Sequence, residues 1–332
     1  MKEYKVGILG VTGAVGQEML KVLTERNFPI SELRPLASAK SAGKKINYMG
    51  EDIVIQEAND DAFKDLDFVL GAAENDIAER FAPSIKKSGA IFVDNSSAFR
   101  LHDDVPLVVP EVNGDDAFKH NGIIANPNCS TIITLMAVAP IAKISPIKTL
   151  VASTYQAVSG AGAGGLKELE DQVADYAQGK EIKNSVFAHQ ILFNLIPKIG
   201  GIGDNGYSSE EMKLQNEGRK ILHLPDMKVC CTCVRVPVLR SHSISAQFVT
   251  EDKISVQEAK EAISKAKGVK LYDNGKNEVY PMPLVTSDQD LVYVGRIRED
   301  LINENGLALW CCGDQIRKGA ATNAVQIAQL FL

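Results

Sequence analysis

Short apolar runs alternate with amphipathic stretches along the first part of the chain. Residues 6–9 form an apolar run that predicts a buried strand, and the apolar spacing over 17–26 predicts a helix after it. Four further short runs, at 33–37, 68–72, 91–94 and 107–109, predict strands, and 77–87 predicts a helix. This strand–helix alternation predicts a parallel sheet with helices on both faces.

The pattern changes after residue 129. Longer segments of alternating apolar and polar residues predict strands over 149–158, 229–238, 243–249, 291–298 and 307–312. Helical patterns cover 166–178, 210–222, 256–267 and, at the end, 316–332. This part therefore predicts an α+β domain whose largely antiparallel sheet covers helices on one face.

Composition narrows the classes of partner. The 332 residues are 45% hydrophobic, which suits two domains of ordinary size. A net charge of −6 argues against nucleic acid or an anionic membrane as partner. No apolar run is long enough to span a membrane, and the first residues lead straight into a strand without a signal peptide. We therefore expect a cytoplasmic protein.

Five of the six cysteines lie in strand-like segments, at positions 230, 231, 233, 311 and 312. No C-x-x-C pair occurs, and neighbouring residues on a strand point to opposite faces. These cysteines are therefore interpreted as small apolar residues in a reducing compartment, and we predict no metal site.

Three glycines, Gly10, Gly13 and Gly16, separate the first predicted strand from the first predicted helix. Thr12 stands where the commoner dinucleotide fingerprint has its second glycine. A glycine loop in this strand–helix context predicts that a nucleotide phosphate binds at the helix N-terminus. The alternative is a tight turn with no ligand.

The end of the second predicted strand indicates which dinucleotide is bound. NAD-binding proteins usually place an acidic residue there, about 20 residues after the glycine loop, to hold the ribose hydroxyl. This chain has Ser38, Lys40 and Ser41 instead, which can donate to a phosphate. NADP(H) is therefore favoured over NAD, and a polar surface turn is the alternative.

The segment 126–131, Asn-Pro-Asn-Cys-Ser-Thr, leads into a long apolar stretch. Pro127 favours an extended Asn126, and the capping types around Cys129 place this cysteine in the first turn of a helix. The backbone N–H groups of that turn lower a thiol pKa and can hold an oxyanion. The segment predicts a nucleophilic thiolate, with a buried structural cysteine as the alternative.

Taken together, these motifs resemble those of aspartate-semialdehyde dehydrogenases over essentially the whole chain. The matching positions, in order, are 10–16, 95–100, 126–131, 156, 159–162, 210–213, 235 with 242, and 313–321. The resemblance implies NADPH-dependent reductive dephosphorylation of L-aspartyl 4-phosphate to L-aspartate 4-semialdehyde. That reaction belongs to lysine, threonine, methionine and diaminopimelate biosynthesis.

The resemblance also implies roles for individual residues. Cys129 would form a thioester, His242 would act as general acid/base, and Gln156 would position the acyl group or the nucleophile. Five residues are implied in binding the substrate and its phosphate: Arg235 for the carboxylate, Glu210 for the ammonium, and Lys213, Arg100 and Asn128. The implied cofactor contacts are Gly10, Thr12, Gly13, Ala14, Val15, Gly16, Ser38, Lys40, Ser41, Ser159, Gly160 and Gln315.

Other interpretations remain open at this point. On its own, His242 is typical of a solvated turn residue, and Glu210 with Lys213 is typical of an i,i+3 surface pair. The ammonium contact could also belong to Glu211. The rival activity is that of N-acetylglutamyl phosphate reductase, whose substrate has no free ammonium. Glyceraldehyde-3-phosphate dehydrogenase shares the chemistry, but its Ser-Cys-Thr-Thr-Asn motif is absent, and an NADPH sensor without catalysis is a further alternative.

The resemblance finally implies the domain plan and the assembly. Residues 1–127 and 313–332 would form a Rossmann-like NADP-binding domain, and 128–312 a catalytic and dimerisation domain. We expect a homodimer or homotetramer whose small-molecule ligands are aspartyl phosphate, aspartate semialdehyde and phosphate.

Overall fold

The computed structural model describes residues 2–332, which form two compact units. Unit 1 comprises the residues up to Asn128 together with Ala320–Leu332, and unit 2 comprises Cys129–Gly319. Unit 1 is therefore built from two separate segments of the chain, and the nucleophile candidate Cys129 is the first residue of unit 2.

Unit 1 is a six-stranded parallel sheet with helices, as the strand–helix alternation predicted. The strands of this unit are β1 (Tyr4–Leu9), β2 (Ile30–Ala37), β3 (Lys45–Tyr48), β4 (Glu51–Val54), β5 (Gln56–Glu57), β6 (Phe68–Gly71), β7 (Ile91–Asp94) and β8 (Ile123–Ala125). The six-stranded sheet has the order β5-β2-β1-β6-β7-β8, so the direction of strand order reverses between β1 and β6, and β3 and β4 form a separate two-stranded sheet. Its helices are α1 (Ala14–Glu25), α2 (Asn75–Ser88), α3 (Pro110–Asn113), the 3₁₀ helix Gly114–Lys119, and α9 (Thr322–Gln329).

Unit 2 has a mixed six-stranded sheet in the order β10-β9-β11-β14-β13-β12. The three central pairings are antiparallel and the two outer ones parallel, so the predicted largely antiparallel sheet is confirmed. Its strands are β9 (Ile147–Gln156), β10 (Lys228–Arg235), β11 (His242–Thr250), β12 (Val269–Leu271), β13 (Val292–Glu299) and β14 (Gly306–Gly313). Its helices are α4 (Cys129–Ala142), α5 (Gly162–Ala177), α6 (Ser209–Leu222), α7 (Val256–Lys265), α8 (Pro283–Thr286) and the 3₁₀ helices Val158–Ala161 and Gly275–Asn277.

Helix α4 explains how the nucleophile candidate is held. Every residue from Ser130 to Ala139 is buried, so the helix is apolar on all sides and belongs to the core of unit 2. Cys129, at its first position, is only partly buried. The helix therefore fixes the cysteine backbone while leaving its side chain at the rim of the core.

Two local predictions differ from the structure, and one hairpin was not predicted. Residues 107–109 form a single bridge, Leu107 with Ala125, instead of a strand, because prolines at 106 and 110 remove backbone donors at both ends. The predicted helix over 316–332 is a π-helix over Arg317–Ala321 followed by the shorter α9. The hairpin of β3 and β4 was not predicted. Over residues 2–332, no helix is both long enough and apolar enough to cross a membrane.

Candidate active site

The glycine loop of unit 1 is shaped by close backbone contacts. Gly10 has φ +87°, and a Cβ there would lie 2.6 Å from the carbonyl oxygen of Ala72. A Cβ on Gly16 would lie 2.5 Å from the carbonyl oxygen of Gly10. Gly13 caps α1 without any side-chain hydrogen bond. The loop therefore brings backbone to the helix N-terminus in the arrangement that a phosphate group needs.

The polar turn after β2 lies at the same edge of the sheet. Gly10 and Val11 donate backbone hydrogen bonds to Leu36 in β2, and the turn begins two residues later. Its Ser38 and Lys40 side chains are exposed. The carboxyl ends of β1 and β2 thus carry the glycine loop and the polar turn side by side.

The other loop candidates of unit 1 differ in exposure. Thr12 is exposed, and Ala14, Val15 and Ser41 are half-buried. Two substrate-binding candidates, Arg100 from the implied phosphate site and Asn128, are buried in the same unit. Arg100 donates from Nη2 to the carbonyl oxygen of Asn95 at 2.7 Å.

In unit 2, the π-helix approaches the nucleophile candidate. A Cβ on Gly319 would lie only 2.9 Å from the Cβ of Cys129. Glycine is therefore the one residue type that fits here without movement. The widened π turn places this backbone against Cys129, and such turns are frequent at functional sites.

His242 is fully buried at the start of β11, which differs from the solvated turn considered above. Its Nδ1 accepts a hydrogen bond from the backbone N–H of Ala157 at 3.1 Å. Because a backbone N–H can only donate, the neutral ring carries its proton on Nε2. Burial, and secondarily the charge of Arg235, lowers the pKa of His242 to about 3, so the ring is neutral at pH 7.

Gln156 connects His242 with Glu210. Its Nε2 lies 3.5 Å from Nε2 of His242 and donates to Oε1 of Glu210 at 3.1 Å. Its Oε1 accepts from the Thr154 hydroxyl at 2.9 Å, which sets the orientation of the amide. Gln156 ends β9, beside Arg235 at the end of β10, so the two residues are in register.

The adjacent residues Glu210 and Glu211 have different contacts in the structure. Ser208 and Glu211 form a capping box at the start of α6, and Oε1 of Glu211 also accepts from the backbone of Cys233 at 3.0 Å. Glu210 instead turns its carboxylate toward Gln156, and its Oε2 pairs with Lys213 at 2.9 Å. Glu210 is 8% exposed, so the pair differs from an ordinary solvated salt bridge.

Arg235 is buried at the end of β10. Its Nη1 donates to the carbonyl oxygen of Ala157 at 2.6 Å. Burial lowers the pKa of Arg235, while the charges of Cys129 and Glu210 favour its protonated form. A Cβ on Gly160 would lie 2.7 Å from Nη1 of Arg235, so this glycine makes room for the guanidinium.

Two implied cofactor contacts, Ser159 and Gln315, are joined in unit 2. The Gln315 Nε2 donates to the Ser159 hydroxyl, and its Oε1 accepts from the backbone of Ser241 at 2.9 Å. Ser159 directly precedes Gly160 in the sequence, and Ser241 directly precedes His242. Gly160 also belongs to unit 2, and the other cofactor candidates belong to unit 1.

Sequence reasoning missed a support beneath Arg235. The Phe187 ring lies 5.9 Å from its guanidinium carbon. The backbone around Phe187 is held by the buried carboxylate of Glu168, which accepts from Ser185 at 2.9 Å. Gln172, four residues further along α5, accepts from Leu192 at 2.9 Å. Part of this support could have been predicted from the sequence, because Glu168 and Gln172 lie on one face of the predicted helix.

Comparison with known proteins first defines the class. Residues 5–120 match the family model "Semialdehyde dehydrogenase, NAD binding domain", and 138–318 match "Semialdehyde dehydrogenase, dimerisation domain". The chain is thus a semialdehyde dehydrogenase, an oxidoreductase that binds a nicotinamide dinucleotide and a small molecule and assembles through its second domain.

Individual relatives narrow the class further. Aspartate-semialdehyde dehydrogenase of Synechocystis sp. is 49% identical over 99% of this chain and 97% of the relative. The enzyme of Aquifex aeolicus is 48% identical over 99% and 98%. The chain belongs to the aspartate-semialdehyde dehydrogenase family, which confirms the resemblance seen in its motifs.

Solved structures agree with this fold. The chain superposes on aspartate semialdehyde dehydrogenase II from Vibrio cholerae with a TM-score of 0.96, at 40% identity over 99% of this chain and 98% of that one. The same Vibrio enzyme has been solved in complex with ASA. The Candida albicans enzyme, solved with NADP, matches with a TM-score of 0.77 at 26% identity over 99% and 98%.

Proposed function

We propose that this enzyme catalyses the NADPH-dependent conversion of L-aspartyl 4-phosphate to L-aspartate 4-semialdehyde and phosphate through a thioester on Cys129. The observation that carries the proposal is the buried cluster in unit 2. Glu210 and Arg235 there supply one negative and one positive charge, which match the ammonium and carboxylate of an amino acid, beside Gln156 and His242. The reaction serves lysine, threonine, methionine and diaminopimelate biosynthesis.

Cys129 is the nucleophile in this mechanism. Its thiolate attacks the acyl carbon, a C–S bond forms, and the C–O bond to phosphate breaks. The α4 N–H groups around Cys129 stabilise the oxyanion that forms during attack. When bound, the dinucleotide supplies the hydride that takes the acyl group to the aldehyde level. Breaking the C–S bond then releases the aldehyde and restores the Cys129 thiolate.

His242 acts on the oxygen of the reacting carbon as the acid/base group. Its Nε2 carries the proton in the neutral ring, so it donates a hydrogen bond to the oxyanion as negative charge develops there. Gln156 supports this role, because its amide lies against the same ring edge, where it would position the acyl group or the nucleophile. The lowered pKa of His242 means that the neutral ring is the working form before substrate arrives.

The substrate charges assign the remaining side chains. Arg235 binds the α-carboxylate through its planar guanidinium, and Glu210 binds the α-ammonium. Lys213 and Arg100 bind the phosphate, and Asn128 is a further substrate-binding residue. An acetylated substrate would bring no ammonium to Glu210 and would leave a buried carboxylate without its substrate partner. The cluster therefore favours aspartyl phosphate over N-acetylglutamyl phosphate.

The loops of unit 1 fit an NADP molecule. Backbone groups from Gly10 to Gly16 receive the pyrophosphate, and Thr12, Ala14 and Val15 line the same turn. Ser38, Lys40 and Ser41 receive the 2′-phosphate, where a carboxylate would repel it. Ser159, Gly160 and Gln315 are further proposed cofactor contacts. Ser38→Asp should weaken NADPH binding at least about tenfold more than NADH binding, as measured by fluorescence titration. If the affinities for NADPH and NADH fell equally, the 2′-phosphate would have to bind elsewhere.

The domain plan and assembly follow the same proposal. We assign 1–127 and 313–332 to the cofactor domain and 128–312 to the catalytic and dimerisation domain. The two compact units of the structure support a division of this kind. The enzyme should be a homodimer or homotetramer, and a monomer by light scattering at micromolar concentration would contradict this.

One assay tests the proposed reaction. NADPH oxidation should be efficient with L-aspartyl 4-phosphate and negligible with N-acetylglutamyl phosphate, because only the first carries the ammonium. The reverse reaction with aspartate semialdehyde, NADP and phosphate should proceed as well. Preference for the acetylated substrate would establish the rival reductase instead.

A further inference from the structure

Three asparagine side chains form a continuous hydrogen-bonded chain in unit 1. Nδ2 of Asn323, in α9, donates to Oδ1 of Asn126 at 2.7 Å. Nδ2 of Asn126 donates to Oδ1 of Asn95 at 2.7 Å, and Nδ2 of Asn95 donates to the carbonyl oxygen of Gly71 at 2.6 Å. Nδ2 of Asn323 also donates to the carbonyl oxygen of Val108 at 2.9 Å. Asn126 and Asn323 are at most 1% exposed.

The direction of this chain is fixed from both ends. A carbonyl oxygen can only accept, so Gly71 requires the NH₂ group of Asn95 and Val108 requires the NH₂ group of Asn323. The side-chain oxygen of Asn95 must then face the NH₂ group of Asn126. In the same way, the side-chain oxygen of Asn126 must face the NH₂ group of Asn323. No amide can be turned over without placing like groups against each other in a buried site.

Two members of the hydrogen-bonded chain, Asn95 and Asn126, are linked to residues that the proposed reaction uses. Asn126 stands three positions before Cys129, and the rigid Pro127 lies between them. The carbonyl oxygen of Asn95 accepts from Nη2 of Arg100 at 2.7 Å. The backbone of Asn126 also donates to the carbonyl oxygen of Asp94 at 2.7 Å. One side chain, Asn126, therefore connects the segment entering Cys129 to the loop that holds Arg100.

We propose that Asn126 is a positioning residue for the phosphate step. Through Asn95 it fixes the guanidinium of Arg100, and through its own backbone it fixes the residues that lead into the nucleophile. This inference rests on the proposed function, because it assigns the phosphate to Arg100. Asn323 anchors the arrangement from α9.

The test replaces one amide by a carboxylate of the same size. Asn126→Asp keeps an acceptor toward Asn323 but loses the donor toward Asn95. The KM for inorganic phosphate, measured with aspartate semialdehyde and NADP, should rise at least about tenfold, while the KM for aspartate semialdehyde changes less than about twofold. Alkylation of Cys129 by iodoacetamide should also slow by several-fold.

A matched control separates positioning from stability. Asn113 is a half-buried residue of unit 1 whose side-chain amide forms hydrogen bonds with the backbone of Leu107 and Val109. It does not belong to the hydrogen-bonded chain of three asparagines. Asn113→Asp should lower the melting temperature and leave the KM for phosphate unchanged. If Asn126→Asp fails to fold, Asn95→Ala, at a half-buried position, should still raise the KM for phosphate by about tenfold or more.

The outcomes are distinct. An active wild-type enzyme in which Asn126→Asp, or its replacement Asn95→Ala, keeps the wild-type KM for phosphate overturns the positioning role alone. A wild-type enzyme that does not turn over aspartate semialdehyde with phosphate overturns the proposed function and this inference with it.

Discussion

The candidate sites of the two units consist of different kinds of chemical groups. At the edge of unit 1, the glycine loop uses backbone groups, and its neighbouring Ser38 and Lys40 side chains are exposed. In unit 2, the cluster uses the charged or polar side chains of Glu210, Arg235 and His242, all less than 9% exposed. A backbone site depends on local shape, whereas a buried side-chain site depends on every neighbour that replaces water. Substitutions in unit 2 should therefore have the larger and more specific effects.

The largest effect should come from the nucleophile of unit 2. Cys129→Ala cannot form a thioester, so kcat should fall at least about 10³-fold in steady-state assays with aspartate semialdehyde, NADP and phosphate. Cys230→Ala removes an exposed thiol and should leave turnover near that of the wild type. If the Cys129→Ala enzyme kept more than a tenth of wild-type activity, this result would contradict the covalent mechanism.

The next effect tests how tightly the buried cluster is packed. In Gly160→Ala the new methyl group would lie 2.7 Å from Nη1 of Arg235 and 3.3 Å from Nε2 of His242. Both side chains must move, and kcat/KM for aspartate semialdehyde should fall about 10²-fold. Gly201→Ala is the control, because no atom lies within 4 Å of its Cβ. Equal behaviour of the two variants would mean that the cluster tolerates displacement.

Two adjacent glutamates sharpen the comparison further. Glu210→Gln leaves the substrate ammonium without its charge partner, and kcat/KM should fall at least about tenfold. Glu211→Gln removes the same charge from the same helical turn. Its one remaining oxygen can complete the capping box, but the acceptor for the Cys233 backbone is lost, so this variant should be less stable while its kcat/KM stays near that of the wild type. Arg235→Lys should match Glu210→Gln, because it loses the planar fork. If Glu210→Gln retains wild-type efficiency, the carboxylate plays no part in substrate binding.

The smallest effect concerns stability and pH. Because burial lowers the pKa of His242 to about 3, the unfolded chain binds more protons than the folded one between pH of about 3 and 6.5. The free energy of unfolding should therefore rise with pH in that window, by about 1.4 kcal/mol per pH unit from this group. Urea unfolding at pH 5 and 6 should show a shallower dependence for His242→Gln than for the wild type. Equal slopes would show that His242 titrates normally in the folded enzyme.

The parts of the molecule that depend on local pattern were predictable from the sequence. The glycine loop, the parallel sheet and the helix start at Cys129 all follow from neighbouring residues. The choice between Glu210 and Glu211 was also predictable, since Ser208 and Glu211 have the S-x-x-E spacing of a capping box. Recognising that motif would have left only Glu210 for the cluster.

The surroundings of His242 and Arg235 could not be predicted in the same way. The depressed pKa of His242 depends on burial and on Arg235, and Phe187 reaches Arg235 across 48 positions of sequence (235 − 187). Such contacts arise only when distant segments pack together. The π-helix next to Cys129 also departs from the helical pattern of its own residues, because backbone there approaches another element.

The return of residues 320–332 to unit 1 has a consequence for protein synthesis. The core of unit 1 includes Ala321, Ala324, Val325, Ile327 and Ala328, although its last strand is complete at Ala125. A ribosome must therefore add almost two hundred further residues (125 to 320) before that core can close. A chain released early, even one that lacks only these thirteen residues (320 to 332), would expose apolar surface from the cofactor unit. Incomplete translation products would thus expose the kind of apolar surface that chaperones and proteases recognise.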